Sequence, residues 1–486
     1  MLNLIRNEYA KIFRKISTYV ILILCLLISV GIGFLVQLEN NDYDEYYYYG
    51  ESFADEYKLY QNSTDLYDKL YAMRLELYID LGYNNYGEVP DWIIEAVYDA
   101  IYSHMLYDYL SVASDKEKET YEMEYGITLE GIDVSYHKKI GEEKLACIKT
   151  GDYKGYSQKC IAYMDYCKAN DKDNYDAKHM DYDYEYHKYI VEKDINPVDD
   201  EDRIDVIRNY SSAKSEYDSL IEQQKQGMKV SGYSIEKCKE RYEVYKYILD
   251  NDIKYFHTDD LDSDVYMSEN KFITALISNT TVASMAGIFV MIIAAGIVAN
   301  EFTNGTIKFL LINPVKRAKI FWSKYITCIS LLVTAMATFF VIHLLFSIIT
   351  CGVQGIDGAY VYYSQGVASE QSIIMYSLEQ YFLSGISIIV SVTLAFTISS
   401  LMRNNAVAIA ISIAIEVLGT TITLFLLELG HDWARYLVFS NTDLASITKG
   451  QSMFPGQDVG FSLTVLAVHF VIFLLTAYDG FKKMEV

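Results

Sequence analysis

The chain has 486 residues, a formal net charge of -24 and a mean hydropathy of +0.08. Essentially all of that charge falls between residues 40 and 272, a stretch with no long apolar run, whereas the remainder is nearly neutral and rich in apolar segments. The near-zero hydropathy is thus the average of a membrane part and a soluble part, and an acidic domain without a basic face excludes nucleic-acid binding.

The first element is a basic, amphipathic stretch. Leu2, Ile5, Tyr9, Ile12, Phe13 and Ile16 fall on one helical face, with Arg6, Arg14 and Lys15 on the others. Residues 1–16 are therefore expected to form a helix lying in the headgroup plane. Six runs are long enough to cross a hydrocarbon core, which needs roughly 20 apolar residues: about Ser17–Leu38, Ser278–Ala299, Ile326–Thr350, Phe382–Met402, Ala406–Leu427 and Gly460–Tyr478. The first is longer than a typical signal h-region and lacks a small-x-small site before Asn40, so a retained signal-anchor is expected.

Residues 39–272 form an acidic, tyrosine-rich domain, and its scarcity of proline (only Pro90 and Pro197) argues for helices. Trp92, Ile93, Val97 and Ile101 recur at helical spacing, and Asp202–Gln226 and Ile235–Asp250 show similar patterns. The tyrosines, Tyr46–Tyr49 among them, read as amphipathic packing rather than an aromatic binding groove. His179, Asp183 and His187 share a helical face, but one Zn²⁺ would reach two of them at most. Asp171–Asp176 lacks the glycine and the bidentate glutamate of a calcium loop. Both read as solvated acidic faces, and no metal site is expected. Cys160 and Cys167 lie two turns apart, too far for a disulfide within one helix; other pairings stay open.

Lys and Arg near the span ends set the orientation. Arg6, Lys11, Arg14 and Lys15 precede the first span, and Lys308, Lys316, Arg317, Lys319 and Lys324 lie between the second and third. Arg403 sits between the fourth and fifth, and Lys482 and Lys483 follow the last. The alternate loops carry no Lys or Arg in Cys351–Tyr381 and only Arg435 and Lys449 in Gly430–Gly460. Both termini are expected in the cytoplasm and residues 39–272 outside, in a cell-membrane protein. The expected fold is an all-α membrane protein: an interface helix at 1–16, a span at 17–38, a large extracellular, mainly helical domain at 39–272, and five further spans in 273–486, with a cytoplasmic connector at 300–324.

That connector is the most informative segment. Gly305 allows a turn with φ > 0, Thr306–Ile312 suits a short helix with Ile307, Leu310 and Leu311 on one side, and Asn313–Pro314 stops it before Lys316, Arg317 and Lys319. No G-x-S-x-G, H-E-x-x-H, C-x-x-C or G-x-x-x-x-G-K-[S/T] is present, so no catalytic residue is expected and any ATPase must be borrowed.

The stretch E-F-x-x-G-T-I-K-x-L-L-I-x-P-V-K-R-x-K-I-x-x-S-K, from Glu301 to Lys324, resembles the signature between the second and third spans of type-2 ABC exporter permeases. Tyr189–Pro197 resembles a stretch of Gram-positive members that carry a large outer domain after the first span, and Ala434–Leu444 their re-entrant segment before the last. The resemblance implies that Thr306–Leu311 is the coupling helix that fits the ATPase subunit. Glu301, Gly305, Thr306, Leu310, Leu311, Pro314, Arg317 and Lys324 then serve that coupling, while Lys316 departs from the more usual Ser. It further implies a cytoplasmic ABC ATPase subunit that binds ATP and Mg, a second permease subunit, identical or homologous, and antimicrobial peptides, other amphiphiles or ions as cargo. No cofactor is expected in this chain.

Within the spans, Glu416 and His343 are the ionisable residues to explain. Glu416 reads as a polar group on a substrate path or dimer seam, or as a structural hydrogen bond, the first pair balancing the second, and His343 reads as structural. Ala283-x-x-x-Gly287 and Ala295-x-x-x-Ala299 offer small faces for close packing. The contrasting reading is a membrane-anchored sensor or immunity protein whose outer domain binds a peptide.

Overall fold

The computed structural model describes residues 1–45, 52–63, 65–111, 113–116, 118–119, 133–170, 177–197, 201–259, 270–306, 315–364 and 366–483. Tyr46–Tyr49, Asp171–Asp176 and residues 307–314, with Leu310, Leu311 and Pro314, lie outside these, as does the His179 side chain.

Helix α1 (Leu2–Phe13) is the amphipathic stretch, and α2 (Ile16–Glu45) follows it after a bend of 74°. An apolar stripe on α1 and an apolar helix leaving at a steep angle are what a headgroup-plane helix feeding a span requires. Five later helices are long and apolar enough to cross a membrane: Lys271–Gly296, Arg317–Cys351, Ile373–Leu401, Asn405–Glu428 and Val459–Lys482; the bent α1–α2 pair supplies a sixth if counted as one span. The protein is a helical membrane protein.

Between α2 and those helices lies an inserted domain, spanning residues 52–259. Its helices are α3 (Phe53–Tyr60), α4 (Leu66–Asp80), α5 (Asp91–Tyr98), which runs into a π-helical segment (Asp99–Met105), and α6 (Leu106–Ser111). Then come α7 (Val134–Thr150), α8 (Tyr153–Asn170), α9 (Ala177–Lys193), α10 (Glu201–Lys225) and α11 (Gly232–Asp250). Local chemistry sets several of these ends. The Asp65 and Asp133 carboxylates accept from backbone N–H groups of the first turns of α4 and α7, and Gly151, at φ 68°, ends α7. Trp92, Ile93, Val97 and Ile101 are all buried, in one core with Phe53, Tyr78 and Ile148.

The helices that follow the inserted domain are α12 (Lys271–Ile277), α13 (Asn279–Gly296), α14 (Ala299–Thr303), α15 (Arg317–Cys351), α16 (Ile373–Leu401), α17 (Asn405–Glu428), α18 (Leu444–Thr448) and α19 (Val459–Lys482); α14 and α18 are short and lie outside the five apolar spans. Short 3₁₀ turns at Asp432–Tyr436 and Val438–Ser440 precede α18. At 35 residues α15 is roughly 50 Å long, well beyond a ~30 Å core. It begins nine residues before the apolar run read from sequence, so its basic first turns project past the membrane. The small residues Ala283 and Gly287 of α13 are buried against α16, and a Cβ at Gly287 would meet Ile388 Cγ2 at 2.8 Å. Close approach of these two helices is the use of the small face.

The all-helical expectation needs one correction. Strands β1 (Phe256–His257), β2 (Ala359–Ser364) and β3 (Val367–Ser372) form a sheet, β1 parallel to β2 and β2 antiparallel to β3. The tyrosine- and valine-rich β2 suits a pleated surface, and Gly366, at φ 88°, helps close the hairpin. Ala359 and Val361 pack into the core of α9, α10 and α11 with Ile190, Ile207 and Val244, so the hairpin between α15 and α16 belongs to the inserted domain's core. Asp259 fixes this junction: it accepts from the Tyr360 hydroxyl, lies 2.6 Å from Lys449 Nζ, and accepts from Tyr376 Oη at 3.3 Å.

Candidate functional site

The two ends of the connector meet over α1. Lys324 Nζ, on a residue only 1% exposed, donates to Glu8 Oε2 at 2.8 Å, to Glu301 Oε1 at 3.1 Å and to the Ile297 carbonyl at 3.1 Å. Lys11 Nζ reaches the same Glu301 oxygen at 2.7 Å and Glu8 Oε1 at 3.3 Å. The Thr306 hydroxyl donates to Glu301 Oε2, and Gly305 turns the chain there at φ 68°. A buried ammonium between two buried carboxylates offsets part of the desolvation cost that each group carries, and leaves a large penalty if one partner is removed. Burial by itself would raise the Glu301 carboxyl, but the Lys324 charge and the hydrogen bonds from Lys11 and Thr306 outweigh it and hold it down to about 2. Glu301 is therefore an anion throughout the physiological range.

Neighbouring helices brace this anchor. Between α13 and α14 the helix is interrupted, and the backbone N–H groups of Val298 and Ala299 both donate to Ser399 Oγ of α16 at 3.1 Å. Thr303 Oγ1 accepts from the Asn405 N–H at the start of α17, and Arg317 Nη1 donates to the Lys482 carbonyl at the end of α19. A cavity of about 320 Å³ opens beside Glu8, Lys11, Lys15 and Glu301, walled by Ile292, Ile297 and Ile409. Among the signature positions, Glu301, Gly305, Thr306 and Lys324 are thus brought together, Arg317 is tied to the last helix, and Leu310, Leu311 and Pro314 fall outside the described residues. Glu8, Lys11 and Ser399 belong to the same construction: Glu8 and Ser399 are not singled out by the sequence, and Lys11 is read there only as one of the cations that set the orientation. Glu8 carries the readable signal, since it shares a helical face with the apolar Ile5 and Ile12.

The intramembrane candidates separate. His343 is buried, and its Nε2 lies 2.9 Å from the Ala275 carbonyl, a bond that ties α15 to α12. Glu416 is half-buried on α17 with the Ser391 hydroxyl of α16 as hydrogen-bond partner. The two do not form one site.

A second concentration of buried polar groups lies in the inserted domain. Lys144 Nζ bonds Asp99 Oδ2 at 2.6 Å, and Tyr156 Oη donates to the same oxygen at 3.0 Å. Burial opposes ionisation of Asp99, yet the charges of Lys144 and His104 and these hydrogen bonds hold it down to about 2. His187 Nδ1 lies 3.2 Å from Ser157 Oγ, turned into the domain rather than toward a metal. Among the described residues no cluster of three or more His, Cys, Asp or Glu could hold a metal ion, and none of the seven cysteines is in a disulfide. His104 is fully buried, and burial together with the Lys144 charge pushes it down to about 3. The unfolded chain, with its histidine near 6.5, takes up this proton first, so stability is complete at neutral pH and is lost as pH falls from 6.5 toward 3. At pH 5 the loss from His104 is about 2 kcal/mol. Thermal unfolding of the inserted domain, followed by near-ultraviolet circular dichroism, is expected to drop accordingly between pH 7.5 and 5. His104→Gln is expected to remove only part of that drop, because burial and the Lys144 charge also hold the His187 imidazole down to about 3 and it contributes a share of the same sign.

Comparison with known proteins places the match on the membrane half. A family model described as a protein of unknown function (DUF2705) matches residues 247–486, which hold the sheet, the connector and the five apolar helices. The uncharacterized protein YhcI of Bacillus subtilis (strain 168) is 38% identical over 204 residues, covering 42% of this chain and 65% of YhcI. The uncharacterized membrane protein YdbK of the same strain is 29% identical over 197 residues, 40% of this chain and 76% of YdbK. The chain thus spans just under two thirds of YhcI's length. No solved structure matches.

Proposed function

We propose that the protein is the permease subunit of an ATP-binding-cassette exporter, driven by a separate ATPase subunit that docks on the connector. The observation that carries this reading is the anchor: both ends of the connector are fixed to each other through Glu301 and Lys324 and to α1 through Glu8 and Lys11. A segment held this way cannot move without moving α13, α15 and α1, which is what transmission of force from a soluble motor requires. The resemblance of Glu301–Lys324 to the type-2 exporter signature points the same way, as does the similarity to YdbK, a membrane protein.

In this mechanism ATP and Mg belong to the ATPase, and the chain hydrolyses nothing. Two permease subunits, identical or homologous, enclose the path, with Glu416 as the polar group nearest to it. Closure of the ATPase pair displaces the coupling segment around Leu310 and Leu311. The anchor passes the displacement to α13 and α15, and Arg317 passes it to α19. The junction at Asp259 then links the hairpin that follows α15, and the start of α16, to the inserted domain. Both termini are cytoplasmic and the inserted domain is extracellular, as the distribution of Lys and Arg requires.

This orientation has a direct test. An impermeant maleimide is expected to label Cys147, a partly exposed thiol, on intact cells, whereas Cys238 is buried and serves as the unreactive control. Labelling of Cys147 only after the cells are opened would place the connector on the outer side, away from any ATPase.

A second reading, a membrane-anchored sensor, takes its support from one observation: the inserted domain contains a cavity of about 430 Å³, a size that suits a small molecule rather than the folded peptide expected from sequence.

A further inference from the structure

The cavity of about 430 Å³ sits among α5, the π-helical segment, α7, α8, α9 and α10. That volume is near the small end of small-molecule sites and too small for a folded peptide. Its wall is aromatic, with the rings of Trp92, Tyr153, Tyr156, Tyr163, Tyr182 and Tyr186 around it. Three carboxylates line it, Glu95, Asp99 and Asp183, against two cations, Lys144 and Arg208.

Both cations are already engaged. Lys144 is 1% exposed, bonded to Asp99 at 2.6 Å, and lies 4.9 Å from the centre of the Tyr163 ring. Arg208 is 2.6 Å from Glu95 and 3.3 Å from Asp205. An incoming anion would have to break one of these pairs and face the carboxylates. Asp99 is different. Its contacts with Lys144, Tyr156 and His104 all fall on Oδ2, and its side chain, on the wall of this open cavity, is 31% exposed. Its Oδ1 therefore remains as an acceptor on an ionised group. The residue also opens the π-helical segment Asp99–Met105, a geometry that recurs at functional sites because it re-aims side chains at a cost in helix regularity.

The wall already holds one ammonium by a carboxylate oxygen and aromatic faces, and the unused half of the same carboxylate repeats that chemistry toward the cavity. We propose that this cavity binds a small organic cation, an ammonium or guanidinium carried on an apolar body, with Asp99 Oδ1 accepting from the cationic head and the Trp92, Tyr182 and Tyr186 rings covering the body. The acidity of the surrounding domain raises the local concentration of such a ligand. The site lies wholly within the inserted domain, so its ligand does not depend on whether the connector docks an ATPase.

Trp92 is the only tryptophan of the inserted domain, the others being Trp322 and Trp433. In the full chain carrying Trp322→Phe and Trp433→Phe, held in phosphatidylcholine nanodiscs, Trp92 emission reports the cavity. Titration with phenethylammonium is expected to give a saturable change at least about ten-fold tighter than with phenethyl alcohol or phenylacetate, as one charge-assisted hydrogen bond of ~1.5–3 kcal/mol allows. Asp99→Asn combined with Lys144→Met removes the charge without leaving a buried lone cation, and is expected to abolish that preference. Tyr182→Ala, at the half-buried wall, is expected to weaken phenethylammonium several-fold with an unchanged melting temperature. Equal binding of all three probes, preference for phenylacetate, or a non-saturating response that both variants retain would overturn the proposal.

Discussion

Replacing Lys324 by methionine is expected to collapse the α1–α13–α15 junction. The substitution keeps the length and apolar stem of the side chain but removes an ammonium that donates to Glu8, Glu301 and the Ile297 carbonyl. Glu8 and Glu301 are 8% and 7% exposed, so two carboxylates are left facing each other away from water, with only the half-exposed Lys11 between them. Breaking a buried ion pair from one side costs about 3–5 kcal/mol, a large share of the stability of most domains. The expected result is a sharp loss of monodisperse protein after membrane extraction, and a lowered melting temperature in what survives. Adding Glu8→Gln to Lys324→Met removes one of the stranded charges and is expected to recover part of the loss, which a general packing defect at position 324 would not allow. A Lys324→Met chain that melts within a degree or two of the wild type would show that the three groups are not coupled.

Much of this junction was legible before the fold was known, but only in pieces. The amphipathic stripe of α1 is a local periodicity, and Leu2–Phe13 is helical as the spacing predicts. Gly305 was read as a φ > 0 turn and adopts φ 68°. Glu301, Thr306 and Lys324 were picked out as separate signature positions. Their convergence was not legible, because Glu8 and Lys324 are 316 residues apart and no periodicity relates them. The overlooked trace was an acid on the apolar face of α1. The hairpin was missed for another reason. Ala359-Tyr-Val-Tyr-Tyr-Ser364 has strand character, but it lies in a segment between two apolar runs whose most visible feature is its lack of Lys and Arg. The cavity draws on several helices between Trp92 and Arg208, so its residues have no common spacing. Its aromatic character was visible only as an excess of tyrosine, most of which does serve packing, as in the stacked and edge-on pairs of Phe53, Tyr78 and Tyr86.

The inserted domain and the connector occupy opposite ends of the same helices, and their link is specific. The hairpin that follows α15 is buried in the domain's core, and Asp259 holds Tyr360, Tyr376 and Lys449 together at that junction. A ligand-dependent change in the inserted domain thus has a covalent and ionic route to α15, the helix whose other end carries Lys324.

The second large effect belongs to the connector itself. Leu310 and Leu311 are the apolar pair expected to enter the groove of an ATPase subunit, and paired aspartates there would leave two carboxylates desolvated in an apolar contact, a penalty of several kcal/mol. The anchor itself rests on Glu301, Lys324, Glu8 and Lys11, which these substitutions leave in place, so membrane insertion and folding are expected to survive. The decisive measurement is co-purification from the native membrane with an affinity tag on the permease chain. The wild type is expected to retain an ATPase subunit in stoichiometric amount, and the Leu310→Asp/Leu311→Asp chain, inserted and folded to the same level, to lose it. An ATPase recovered equally with both chains, or absent from the wild type, would contradict the assignment of this segment as the coupling element.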